Sequence, residues 1–204
     1  MPSTPPQRVS ARRQATRDRV LEAASEVFAE RGFHGASVED ICERAGFTRG
    51  AFYSNFASKD DLVLELSSRH SEQVVARIRE TAAAPDAAPQ DVLRDVLAAL
   101  AEDQGTDGWL VLTTEFTLHA IREADARRAW SQQQQRIRNE LISAVDEAVR
   151  TRGARLPIPT ELFVRAALAL SQGSMTQRLV EPGSLSPGEL ERTVLPLLLG
   201  TDRA

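Results

Sequence analysis

Apolar residues recur every three or four positions through nearly the whole chain, and nowhere do they alternate singly over the length of a strand. Val20, Ala24, Val27 and Phe28 form one such stripe. Val38, Ile41, Cys42 and Ala45 form a second, and Leu62, Leu66, Val74 and Ile78 a third. Further along come Val92, Val96 and Leu100 within 90–102, then Trp109, Leu112 and Phe116, then Ile137, Leu141, Val145 and Val149. A 3.6-residue period sustained in this way predicts an all-α chain, here of about nine helices. Gly32, Gly46, the Pro85–Pro89 segment, Gly153 and Glu181-Pro182-Gly183 supply the breaks between them. Thr16, Ser58 and Thr160 are the expected caps of three helices, and Ser186-Pro187 is the expected start of the last.

The most informative stretch runs from Ser37 to Phe56. Ser37 is placed to cap a short helix, with Asp40 three residues on as its reciprocal partner. Gly46 offers the positive φ that ends many helices. Thr48 caps a second short helix, and Phe52 and Phe56 anchor it against the first. Two short helices joined by a tight turn predict a helix-turn-helix, whose second helix fits a major groove. Phe52 and Phe56 point inward, so Gly50 and Ser54 point most directly outward, flanked by Ala51 and Tyr53, with Arg49 at the tip. A solvated face normally carries Glu and Lys. This one is small and uncharged apart from one arginine, which suits close approach to a duplex. Arg49 would contact guanine edges and Tyr53 a phosphate.

These residues carry a resemblance. Gly32-Phe33, Ser37-Val38-Glu39-Asp40-Ile41, Ala45 through Phe56, and Ser58-Lys59-Asp60-Asp61-Leu62 resemble the N-terminal domain of the TetR family of bacterial transcriptional regulators. The likeness covers about residues 16 to 64, with Cys42 a mild departure where the family usually carries Ala. It implies a helix-turn-helix domain over 16–60 and a helical-bundle domain over 61–204 for ligand binding and dimerisation. Ahead of them, the Pro2, Pro5 and Pro6 composition with Arg8, Arg12 and Arg13 reads as a disordered basic arm over 1–15. The candidate DNA contacts are Arg17, Ser37, Thr48, Arg49, Gly50, Ala51, Tyr53, Ser54 and Lys59. Lys59 opens a helix whose N-terminal dipole it opposes, which makes a phosphate contact its expected role.

Charge sharpens this picture. The chain carries −4 overall, but residues 1–59 hold nine basic and seven acidic side chains, and the remainder is net −6. The first seventeen residues hold four arginines and no acid. Local positive charge, not the chain total, governs phosphate contact. A single cysteine and no metal-ligand spacing fit a reducing cytoplasm. No apolar run reaches the length of a membrane span, and the N-terminal stretch lacks the apolar core of a secretory signal. No metal or other cofactor is expected.

In the remaining helices, Leu162–Leu170 is apolar nearly all round, so it should be buried on more than one side. Phe163, Ala166, Ala169, Leu170 and Gly173, with Leu190, Val194, Leu197 and Leu198 of the last helix, are the expected homodimer interface. Two copies would place two recognition helices on a palindromic operator. Pro196 should kink that last helix. A small-molecule effector would lie among bundle helices, with Trp109, Phe116, His119, Trp130, Phe163, Gln172 and Met175 as candidates. Gln132–Gln135 is expected to be a solvated face. The function implied is a ligand-responsive regulator, by family habit a repressor, and not an enzyme. An effector-independent DNA-binding protein is the alternative. A small helical enzyme would need an acid–base or nucleophile constellation, and His34, His70 and His119 show no recurring spacing to one.

Overall fold

The computed structural model describes residues 11–83, 107–151, 153 and 155–198. Eight helices occur among the described residues: α1 (Ala11–Gly35), α2 (Val38–Ala45), α3 (Arg49–Tyr53), α4 (Lys59–Ala83), α5 (Asp107–Arg122), α6 (Ala124–Thr151), α7 (Thr160–Val180) and α8 (Glu189–Leu198). No strand is present among them. The arm at 1–10, with Arg8, and the helix expected over 90–102 lie outside the described residues. The same holds for the side chains of Pro196, Leu197 and Leu198.

Two apolar clusters organise the chain. The first joins α1, α2 and α3 through Leu21, Phe28, Ile41, Phe52 and Phe56. Leu62 and Val63 of α4 and Leu112 and Phe116 of α5 also belong to it. The second joins Val74, Val75 and Ile78 of α4 to Leu141, Val145 and Ala148 of α6 and Phe163 and Val164 of α7. One helix, α4, therefore contributes to both clusters. The expected division at residue 60 is less clean than the sequence implies. The first turn of α4 and half a face of α5 are built into the N-terminal core. Burying side chains as large as Phe28, Phe52 and Phe116 stabilises that core by about 2–3 kcal/mol each.

Several helix limits differ from expectation for local reasons. Helix α1 runs from Ala11, five residues before Thr16, so residues 11–15 are helical and not part of a disordered arm. Thr16 is no cap, because its hydroxyl donates back to the Arg12 carbonyl at 3.0 Å. Thr160 likewise does not cap α7. Its hydroxyl donates to Asp146 on α6 (2.5 Å), and Pro159 stands at the cap position without a side-chain bond. The last helix starts at Glu189, after Ser186-Pro187, with the Glu189 carboxylate accepting from the Ser186 amide at 2.8 Å. Ser58 does cap α4, accepting the Asp61 amide at 3.2 Å.

Gly32 breaks α1 as expected, with φ 69° and ψ 176°. That conformation is open essentially to glycine alone. A Cβ there would also lie 2.6 Å from a carboxylate oxygen of Glu115 on α5, which is tied down by the Phe33 amide at 2.5 Å. Gly32→Ala should therefore lower the unfolding free energy by about 1–3 kcal/mol. Thermal denaturation followed by circular dichroism measures it, and an unchanged midpoint would contradict the assignment.

Candidate nucleic-acid interface

The cap of α2 forms as a reciprocal pair. The Ser37 hydroxyl accepts the Asp40 amide at 3.1 Å, and the Asp40 carboxylate accepts the Ser37 amide at 3.0 Å. Helix α2 ends at Gly46 with φ 71°, whose amide returns to the Cys42 and Glu43 carbonyls. Thr48 caps α3, accepting the Ala51 amide at 3.2 Å. Phe52 is fully buried and Phe56 nearly so, which turns the opposite face of α3 outward. Thr48, Arg49, Gly50, Tyr53 and Ser54 are exposed and Ala51 is half-buried.

Three arginines of α1 hold this unit from behind. Arg19 donates to the Ala45 carbonyl at the end of α2 (3.0 Å) and covers the Phe47 ring. Arg13 donates to the Ser54 carbonyl (3.0 Å) and Arg17 to the Asn55 carbonyl (2.7 Å), both just past α3. Cations at the carbonyl ends of helices satisfy orphan acceptors and the negative dipole end together. Arg44 adds a bridge from α2 to Glu26 and Glu30 of α1, at 3.0 and 2.8 Å. The recognition helix is thus set at a fixed angle by bonds to its own backbone.

This arrangement corrects the premise behind two expected DNA contacts. Arg17 does not reach outward. It also pairs with Glu65 (3.2 Å) and lies over the Phe56 ring at 4.4 Å. Lys59 is not an uncompensated cation at a helix start. Its ammonium donates to the Phe33 and Ala36 carbonyls at 2.5 and 2.9 Å and sits over the Phe33 ring. Burial pushes Lys59 below the ordinary lysine range, and the nearby Asp60 and Glu115 carboxylates oppose that shift. Both cations position backbone in this structure. The hydroxyls of Ser37 and Thr48 are likewise engaged as caps, and Ser54 donates to the Ala51 carbonyl at 2.8 Å.

Arg49 and Tyr53 remain presented. Arg49 pairs with Glu39 of α2 at 2.5 Å, with both side chains more than half exposed. Tyr53 first and Glu39 second hold its guanidinium above the ordinary range. A surface pair of this kind exchanges readily for a stronger anion. Between Arg44 and Lys59 the chain carries no acid, so Glu39 is the acidic partner at this tip. At Gly50 an added Cβ would meet nothing closer than 3.8 Å, which leaves the helix backbone bare on its outer side.

In the second half, a cleft of about 790 Å³ lies between α4, α5, α6 and α7. Of the seven ligand candidates, Trp109, Trp130, Gln172 and Met175 line it. Phe116 and Phe163 do not, since both are packed in the apolar cores. Nor does His119, which faces the helix-turn-helix unit and meets Asp60 at 3.2 Å. Gln133 departs from the expected solvated face. It is buried and donates to the Ser68 hydroxyl at 2.7 Å, while its neighbour Gln134 lines the cleft. Arg138 and His70 also line it and were missed. Helical spacing from Trp130 through Gln134 to Arg138 was the available signal.

On α7, Ala166, Leu170 and Gly173 are half-buried and Ala169 exposed, as are Leu162 (53%) and Val180 (75%) at its two ends. Leu190 and Val194 of α8 are half-buried. Phe163, expected at a dimer surface, is only 1% exposed within the protomer and has no free face to offer.

A buried three-helix unit presenting a short exposed helix defines a helix-turn-helix DNA-binding protein, here with a second helical domain holding a cleft. Residues 20–66 match the family described as bacterial regulatory proteins, tetR family, and residues 89–200 match the BetI-type transcriptional repressor C-terminal family. The chain belongs to the TetR family of transcriptional regulators. It is 31% identical over 140 residues to the HTH-type transcriptional repressor AcnR of Corynebacterium efficiens, a match spanning 69% of this chain and 65% of that protein. Its fold matches a TetR-family regulator structure from Mesorhizobium loti at TM-score 0.73 and 19% identity, over 94% of this chain and 98% of that one. It also matches Bacillus subtilis FadR, solved with stearoyl-CoA, at TM-score 0.68 and 21% identity, over 90% and 97% of the two chains.

Two tests follow from the local chemistry. Lys59→Met should destabilise the N-terminal half by about 1.5–3 kcal/mol, the range for bonds from a charged donor, read as a lower urea midpoint. Ser37→Ala should cost about 0.5–2 kcal/mol. The Ser37 hydroxyl and amide, with Arg31, hold the Asp40 carboxyl below its usual range. That contribution is present above the unfolded-state value near pH ~4 and is lost as pH falls through the lower folded one. An acid titration of helicity should therefore show wild type gaining more over Ser37→Ala above pH ~4 than below it.

Proposed function

We propose that the protein is a ligand-responsive repressor that binds a palindromic operator as a homodimer in the cytoplasm and is released by a small molecule in the cleft of its second domain. The observation that carries this reading is the double use of α5. One face of it, with Trp109, Thr113 and Thr117, lines the cleft. Another face grips the helix-turn-helix unit. Glu115 accepts the Phe33 amide at 2.5 Å, His119 meets Asp60, and the Phe116 ring stands edge-on to Phe33 at 5.1 Å. Trp130, which lines the cleft, is itself edge-on to Phe116 at 5.1 Å. A ligand that shifted α5 or Trp130 would act directly on the end of α1 and the start of α4. It would shift operator binding by its preference for one of the two arrangements.

Dimerisation is supported by the apolar stripe Leu162, Ala166, Ala169, Gly173 and Val180, spaced at helical intervals along α7. Among the described residues outside its own helix backbone and chain neighbours, nothing lies within 4 Å of a Cβ at Gly173, so a second helix could approach there closely. Two copies would read two half-sites one helical turn apart. A repressor role follows the name of the AcnR relative, and ligand control is compatible with the FadR complex.

Footprinting on the DNA upstream of its own gene should reveal a two-fold symmetric protected site, and deleting the gene should raise transcription from it. On that site, Arg49→Ala should relax base preference at one position per half-site, costing about 1–3 kcal/mol of discrimination. Tyr53→Phe should weaken all sequences about equally. Selection from randomised half-sites, read by sequencing, checks both. An unchanged preference for Arg49→Ala would remove the base-reading assignment.

A further inference from the structure

The cleft has a charge and donor pattern that selects its ligand. No Asp or Glu is among the described residues that line it, while two guanidinium groups are, on Arg138 and Arg165. They differ in one respect. Arg165 is exposed and held by Glu161 one turn away at 2.9 Å. Arg138 is half-buried and has no ion pair or hydrogen bond among the described residues. A partly desolvated guanidinium without an anion is costly, and an anion entering beside it relieves that cost.

Four hydroxyls of the cleft do not compete for this task. Thr113 and Thr117 on α5, Thr176 on α7 and Ser71 on α4 each donate to a carbonyl of their own helix, at 2.7–3.1 Å. Such back-bonding is the usual fate of helical Ser and Thr. Their protons are committed, and of the two guanidinium groups Arg138 is the one without a carboxylate among the described residues, with the amides of Gln134 and Gln172 as further donors in the cleft. Arg138, Gln134 and Trp130 lie four residues apart on α6, on one face. One helix therefore presents a cationic end, an amide and an indole in line along the cleft. Trp109, stacked on His70 at 4.7 Å, and Met175 complete an apolar body site.

Resting on the effector reading above, we propose that the ligand is an amphipathic organic anion. An apolar or aromatic body would lie against Trp130 and Trp109, and a single carboxylate would pair in two-pronged fashion with Arg138. An ammonium ligand would find indole faces but no described carboxylate to balance it, and would be repelled by Arg138. A neutral ligand would leave Arg138 unpaired.

The test uses the full-length protein and matched probes of one chain length: decanoate, decan-1-ol and decyltrimethylammonium, with naphthalene-2-carboxylate as an aromatic anion. Binding is read by tryptophan fluorescence and calorimetry without DNA, and release by gel shift on the footprinted operator. The expected result is 1:1 binding of at least one anion, at least about tenfold tighter than the alcohol or the ammonium probe. Arg138→Gln should remove most of that advantage, since a charge-assisted pair is worth about ten- to a hundredfold, while leaving the weak binding of decan-1-ol within about threefold. Failure of both anions to bind, equal binding of the alcohol, preference for the ammonium probe, or an anion affinity indifferent to Arg138→Gln would each overturn the proposal. Arg138-dependent anion binding with no operator release would uphold the ligand class and instead overturn the effector reading.

Discussion

The structure turns on the satisfaction of a broken helix end. Gly32 interrupts α1, and the chain that follows must bury the Phe33 ring while its backbone leaves the helix. Buried amides and carbonyls without partners are expensive, so those groups at 33–36 need donors and acceptors from elsewhere. They come from two different helices. Lys59 of α4 takes the Phe33 and Ala36 carbonyls, and Glu115 of α5 takes the Phe33 amide. The ring itself fills a nest of Phe28, Phe116 and His119. One short loop thus joins the reading unit to two of the four helices that line the cleft.

The junction brings the wall of the cleft and the support of the helix-turn-helix unit onto one helix, through contacts that are individually ordinary. The helix-turn-helix unit is tied to α1 by three arginines that bond its backbone carbonyls. The cleft wall and the grip on that unit are opposite faces of α5. A helix does not bend to suit one face without moving the other, and close-packed rings transmit displacement instead of absorbing it. In the proposed mechanism, the loop at Phe33 is where ligand occupancy and recognition-helix position would meet.

Much of this was legible in the chain. Ser37 with Asp40, Gly46, Thr48 and the Phe52–Phe56 pair fix the two short helices by local rules, since caps, positive φ and i, i+4 contacts depend only on near neighbours. The exposed face from Thr48 to Ser54 follows from the same periodicity, and the family likeness rests on the same residues. Of the ligand candidates, Trp109, Trp130, Gln172 and Met175 proved to share a cleft, while His119 and Phe116 belong to the junction. The period of a helix says that two residues share a face. It does not say which neighbour that face meets.

What the amino-acid order determined alone is the set of helices, their caps and the small, acid-free surface of the recognition helix, because each of these is decided within a turn or two of backbone. What only the tertiary structure decided is the partner of each long-reaching side chain. Arg17 and Lys59 are cations near a DNA-binding motif, and by sequence both suit phosphate. In the fold they hold the carbonyls of Asn55, Phe33 and Ala36, residues 23 to 38 positions away. Arg138 shows the converse, a cation with no local mark that the packing of four helices leaves facing a cleft without a partner among the described residues. A charged side chain's role is set by which oxygen lies within reach, and that is a property of the assembled helices.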